Sequence, residues 1–207
     1  MTLNSSTIEI LEKKYKYRLE NLEETLGEIR TFHDKLNIII HGRDFWQVSD
    51  DEFAFLYLAV SISKPKIVFE TGVGPGTSTS AILKSLPKGS KLISFDLGVK
   101  YGNAEEMPVG FVIPEELKSI WNLVLGDSNV TLRRELEKYK NIDMFFHDST
   151  HTYDHVSFEL NTVFPYLSKN FMIIVDNYDW TDAPKDFANK NNLHLHHVSD
   201  DMCMIIN

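Results

Sequence analysis

Two strand-like runs of this chain end in side chains able to bind a cation or move a proton. The first, IDMFFHDSTH at Ile142–His151, carries Asp148 where the apolar run stops and His151 three residues later. The second, FMIIVDN at Phe171–Asn177, closes on Asp176 and Asn177. Two carboxylates and an amide oxygen form a hard oxygen set suited to Mg²⁺, which leaves its other positions to water or substrate oxygens. A third stretch, IVFETGVGPGTST at Ile67–Thr79, sets Gly72, Gly74 and Gly76 between a short apolar strand and a helix start. Glycines there permit a tight turn and let a ligand lie on bare backbone, while the helix end offers unpaired N–H groups and a positive dipole. The run Lys91–Phe95 then ends at Asp96, 26 residues after Glu70 and placed to meet a ribose hydroxyl.

These groups meet only if the chain carries them to one edge. From Lys66 onward strands and helices alternate: strands at 66–70, 91–96, 121–125, 142–148 and 171–176, and helices at 77–86, 129–140 and 153–167. That order predicts a largely parallel sheet with helices on both faces, whose ligands bind beyond the carboxyl ends of the strands. Asp96, Asp148, Asp176 and Asn177 then share a rim with the glycine loop. Two closing strands, 193–199 and 201–207, read as an antiparallel pair joined near Asp200.

Upstream, residues 7–42 read as helical. Leu19, Leu22, Leu26, Ile29 and Leu36 form a stripe, with His33 as a partly covered helix residue. The stripe packs on the parent domain or, alternatively, makes a homodimer contact. Ser49 followed by Glu52 marks a helix start for 52–63, which stops before Pro65. The irregular segment 97–116, rich in glycine and proline, is long enough for a lid or binding loop.

At 207 residues one α/β domain suffices. A net charge of −9 argues against general affinity for nucleic acid or anionic membranes. The lone Cys203 excludes an internal disulfide, no signal-peptide profile opens the chain, and the longest apolar run is too short to span a bilayer. A cytoplasmic protein is expected.

The spacing acid-x-Gly-x-Gly-x-Gly at Glu70–Gly76 resembles motif I of the class I S-adenosylmethionine-dependent methyltransferases. With the acids downstream, the chain from Phe45 to Asn207 resembles the catechol O-methyltransferase-like branch and the macrocin-type sugar O-methyltransferases. The resemblance implies a three-layer Rossmann-like fold with a seven-stranded, mostly parallel sheet in the order 3-2-1-4-5-7-6. Its last strand would be antiparallel, with a helical extension (1–45) before the core (46–207) of a single domain. It implies Asp148, Asp176 and Asn177 as metal ligands, and His151 as catalytic base where the catechol branch has lysine. For S-adenosylmethionine it implies contacts from Gln47, Val48, Ser49, Glu70, Gly72, Gly74, Gly76, Thr79 and Asp96, with Gly126, Asp127 and Ser128 beside the adenine. The expected acceptor is a small hydroxylated molecule, phenolic or sugar-like. Tyr153 and Trp180 border the pocket and could stack on a substrate ring.

Other readings stay open: a metal-independent methyltransferase, a non-catalytic cofactor-binding subunit, or a nicotinamide oxidoreductase, which the glycine spacing disfavours. Zinc on His147, His151 and His155 is disfavoured because a strand and a helix need not bring them together. His194, His196 and His197 read as surface residues of a late strand, and Cys203 as inert packing.

Overall fold

In the computed structural model, which describes residues 5–41, 45–98 and 107–207, the alternation of side chains along β1 (Ile67–Thr71) sets the layering. Val68 packs into one core cluster and Phe69 into the other, because successive strand residues point to opposite faces. β2 (Lys91–Asp96) splits in the same way at Leu92 and Ile93, and β4 (Ile142–His147) at Met144 and Phe145. With β3 (Trp121–Leu125), β5 (Leu167–Val175), β6 (His194–His197) and β7 (Cys203–Ile206) the sheet has the order β3-β2-β1-β4-β5-β7-β6. β1 to β5 run parallel, and β7 is antiparallel to both of its neighbours. This is the architecture the motif resemblance implied.

One face is covered by α1 (Ser5–Tyr15), α2 (Leu22–Ile40), α3 (Asp50–Ser63) and α4 (Thr77–Ser85). The other is covered by α5 (Ser128–Leu136), α6 (Tyr153–Val163) and α7 (Ala183–Lys190). α3 is apolar on all sides and almost wholly buried, as befits a helix between the sheet and α1–α2. Its start is the expected capping box: the Glu52 carboxylate accepts from the Ser49 amide at 2.8 Å, and the Ser49 hydroxyl caps the Glu52 amide.

Several elements differ from the sequence reading. The helical run 7–42 is two helices, broken where Lys16 turns left-handed (φ 52°). The stripe packs on the parent domain through Ile29, His33 and Leu36, whereas Leu22 is exposed. His33 is fully covered rather than partly, stacked on Phe53 at 4.1 Å with Nδ1 3.3 Å from Asp50. α5 and α6 end earlier than read, at Leu136 and Val163, and β5 starts earlier, at Leu167. α7 lies between strands 171–176 and 193–199, where the sequence reading assigned no element. Part of the expected lid, 99–106, lies outside the described residues. Its return is stitched to the glycine loop, with the Gly110 amide donating to the Gly74 carbonyl at 2.9 Å and Val112 to Pro75 at 3.1 Å. Among the described residues no helix is long and apolar enough to cross a membrane.

Candidate active site

A cavity of about 570 Å³ opens over the carboxyl ends of β1–β5. The glycine loop forms its floor for a steric reason. A Cβ on Gly72 would stand 1.7 Å from the Asp148 carbonyl oxygen, so only glycine lets the segment after β4 lie this close. At Gly74 (φ 53°) a Cβ would meet nothing, and the backbone stays open to a ligand. Gly76 serves packing instead: its Cβ would fall 2.6 Å from Ile113 and 2.9 Å from Gly110.

Asp96 lines the cavity and holds the loop in shape. Its Oδ2 accepts from the Val73 and Gly74 amides at 3.0 and 3.1 Å, and Oδ1 from Gly98 at 2.7 Å. Gln47 and Val48 also line the cavity, Gln47 accepting from the Thr77 hydroxyl at 3.0 Å. Beside Asp96, whose carbonyl accepts from the Gly126 amide at 2.8 Å, stand Gly126, Asp127 and Ser128, where the Asp127 carboxylate caps α5 through the Asn129 amide at 2.8 Å.

Three expected contact residues stand behind the wall instead of on it. Ser49 is committed to capping α3. Glu70 and Thr79 are fully buried beneath the loop, with Thr79 Oγ1 2.9 Å from Glu70 Oε2 and Ser94 Oγ 2.6 Å from the same oxygen. The signal was available: Glu70 shares a face with Val68, so it points toward α4 and away from the rim. Its carboxyl is pushed up to about 7 by burial, which outweighs the three hydroxyls bonded to it.

The other half of the cavity gathers Asp148, His151, Asp176 and Asn177. One donor atom each from Asp148, His151 and Asp176 lie within 4.8 Å of one another, and His151 Nε2 is 3.9 Å from Asp148 Oδ1. Asn177 takes a left-handed conformation (φ 48°), which lets the chain turn as it leaves β5. Burial and then the Asp176 charge push Asp148 well above the usual carboxylate range. Burial and then Glu52 push Asp176 up to about 7. A buried carboxylate facing a half-buried one is the arrangement a divalent cation relieves, so the donor set fits a hard cation. Burial and then His147 push His151 down to about 4, so its imidazole is neutral at neutral pH.

Two lining carboxylates were absent from the sequence reading. Glu52 was visible only as a capping residue, and Asp201 only as the first residue of the last strand, 201–207. The Ser199 hydroxyl bridges them, 2.6 Å from Glu52 Oε1 and 2.9 Å from Asp201 Oδ1. The histidines expected not to converge do so around a further buried acid. Glu159 Oε2 lies 2.7 Å from His147 Nδ1, and Oε1 lies 2.8 Å from His155 Nε2. His155 and Glu159 are one helical turn apart on α6, and His147 faces α6 from the last position of β4.

A family profile described as a methyltransferase domain matches residues 69–178, more than half of the chain. The chain belongs to that methyltransferase family. No curated protein sequence matches it. In fold it is similar to a methyltransferase from Geobacter sulfurreducens, 16% identical over 86% of this chain and 89% of that one, with a TM-score of 0.67. It is also similar to the O-methyltransferase from Bacillus cereus in complex with SAH (15% identity, 98% and 97% covered, TM-score 0.57). A third likeness is to the O-methyltransferase TomG from Streptomyces achromogenes, involved in tomaymycin synthesis and solved in complex with SAM (12% identity, 89% and 90% covered, TM-score 0.58).

Proposed function

We propose that this methyltransferase moves the methyl group of S-adenosylmethionine to a hydroxyl oxygen of a small molecule. In this reading a divalent cation, Mg²⁺ by its ligand chemistry, is held by Asp148, Asp176 and Asn177. The observation that carries the reading is the single cavity shared by the glycine loop and Asp96 at one end and the Asp148–His151–Asp176 cluster at the other. The SAM and SAH bound by the structural neighbours suit the first end.

When bound, the two groups supply an electrophilic sulfonium methyl and a positive charge that lowers a hydroxyl's pKa. The chain's own residues do the rest. The open backbone at Gly74 and the Asp96 carboxylate fix the donor's position, and orientation of the acceptor oxygen along the attack line is the main contribution to rate. Neutral His151 accepts the hydroxyl proton. Its ring is braced edge-on against Trp180 at 5.4 Å.

Trp46 and Trp180 both line the cavity while 87% and 68% exposed, so they offer flat apolar faces at the mouth. No lysine or arginine is among the described lining residues, and six carboxylates are. An uncharged or cationic ring-bearing alcohol or phenol therefore suits the site better than an anionic acceptor. A cytoplasmic setting suits the single, buried thiol of Cys203.

The test is turnover of S-adenosylmethionine with a panel of phenols and sugars, with Mg²⁺ and after chelation. Chelation is expected to lower turnover by about 10³-fold or more, and His151→Ala by about 10²-fold with cofactor affinity retained. Full activity in verified metal-free protein overturns the metal assignment, and an intact rate in His151→Ala overturns the base. Tight binding of S-adenosylhomocysteine without turnover of any acceptor would support a binding subunit instead.

A further inference from the structure

Under the Ser128 end of the cavity the Glu159 carboxylate collects four hydrogen bonds from four places in the chain. Oε2 lies 2.5 Å from Thr71 Oγ1 of β1 and 2.7 Å from His147 Nδ1 of β4. Oε1 lies 3.1 Å from Ser149 Oγ in the loop after β4 and 2.8 Å from His155 Nε2 of α6 itself. Glu159 is wholly buried and touches no solvent, and the proposed chemistry does not use it. Burial alone would raise its pKa, but the bonds from His147, His155 and Thr71 outweigh this and hold it well below the usual carboxylate range.

An ionised carboxylate only accepts, so each of its four neighbours must donate. The consequences reach the cavity wall, which both Ser128 and Ser149 line. Ser149 spends its one hydroxyl proton on Glu159, so its oxygen faces the cavity as an acceptor only. His155 spends its Nε2–H on Glu159. The same nitrogen lies 3.3 Å from Ser128 Oγ and, being protonated, has no lone pair to offer that hydroxyl. Ser128 can therefore take at most a weak second share of that N–H, and it cannot donate to the nitrogen, so its own O–H turns elsewhere.

We propose that Glu159 is the positioning residue of the cofactor's purine subsite: by taking the protons of His155 and Ser149 it leaves the Ser128 hydroxyl as donor and the Ser149 oxygen as acceptor, a pair matching the N1 and N6-amino edge of adenine. This rests on the reading that the cavity binds S-adenosylmethionine. Hypoxanthine inverts that edge, presenting a donor at N1 and an acceptor at position 6. Ser149, held as an acceptor by Glu159, then meets that 6-oxo oxygen with no proton between them, whereas a freely turning hydroxyl would donate to it.

Isothermal titration of S-adenosylhomocysteine and S-inosylhomocysteine reads this as the ratio of two dissociation constants. The wild-type protein is expected to favour the adenosyl form by about tenfold or more, the scale of one mismatched buried hydrogen bond. Glu159→Ala, checked for folding by its unfolding transition, is expected to bring the ratio to within about threefold of unity. A merely structural role would weaken both ligands alike and leave the ratio standing, which overturns the proposal. If Glu159→Ala does not fold, His155→Phe and Ser149→Ala decide on the same ratio, and its retention in both is equally fatal. Equal binding of the two ligands by wild-type protein defeats the polarity lock while the cofactor reading stands. Binding of neither defeats the cofactor reading itself.

Discussion

Two carboxyl groups sit fully buried on opposite faces of the sheet, Glu70 on β1 toward α4 and Glu159 on α6 toward the sheet, and the chain treats them in opposite ways. Glu70 is met by the hydroxyls of Ser78, Thr79 and Ser94, and its pKa rises to about 7. Glu159 is met by two imidazoles and two hydroxyls, and its pKa falls. Burial is complete in both, so the partners make the difference. Hydroxyl dipoles solvate a buried charge only in part, whereas imidazoles can themselves carry positive charge and so favour the ionised carboxylate. One face of the site thus rests on an acid poised between its two forms near neutral pH, and the other on a fixed negative charge.

The largest break in this contrast is expected from Glu159→Ala. It removes a charge and leaves the buried donors of His147 and Thr71 without a partner, so it should destabilise the fold by about 4 kcal/mol at pH 7. The sign with pH follows from the depressed pKa. Stability from Glu159 is fully present above the unfolded value near 4.3 and is lost as pH falls through the lower folded value. Urea unfolding at pH 7 and pH 4 should therefore show the penalty of Glu159→Ala shrinking in acid. A penalty independent of pH would mean that Glu159 is not held ionised.

Glu70→Gln should show the reverse. The raised carboxyl contributes stability that is fully present below about pH 4.3 and is lost as pH rises through about 7, because the unfolded chain gives up its proton first. A carboxamide mimics the protonated acid at every pH. The substitution should be near neutral at pH 4 and stabilising by an amount on the order of 3 kcal/mol at pH 8. Equal effects at both ends would show that Glu70 titrates as an ordinary carboxyl.

The same contrast explains what could be read from the sequence. The sheet order and the rim positions of Asp96, Asp148 and Asp176 followed from strand-end acids in an alternating pattern, since a parallel sheet delivers those ends to one edge. Glu70 was misplaced because motif spacing names a residue without saying which face of the strand it takes. Its pairing with Val68 by alternation points it inward. Glu159 lay unremarked within the helix read at 153–167, and nothing local signals a buried acid whose partners are 88 and 12 residues away at Thr71 and His147. Asp201 and Glu52 escaped for the same reason: the Ser199 bridge closes a separation of 147 residues. α7 received no element in the sequence reading because its eight residues give too short a run of apolar periodicity to mark a helix.

The smallest effect tests the weaker partner set directly. Ser94 does two things at once, donating to Glu70 Oε2 at 2.6 Å and accepting the Trp121 indole N–H at 2.9 Å. Ser94→Ala leaves that N–H without its acceptor and should cost about 1–2 kcal/mol at pH 5, where Glu70 is protonated. At pH 8 the ionised Glu70 loses a donor as well, so the cost should grow. The growth is what separates the two faces: a hydroxyl whose worth depends on whether its acid is charged can act only beside an acid that titrates in the working range. If unfolding transitions of Ser94→Ala run parallel to wild type from pH 5 to pH 8, Glu70 keeps one charge state throughout and the asymmetry between the faces disappears.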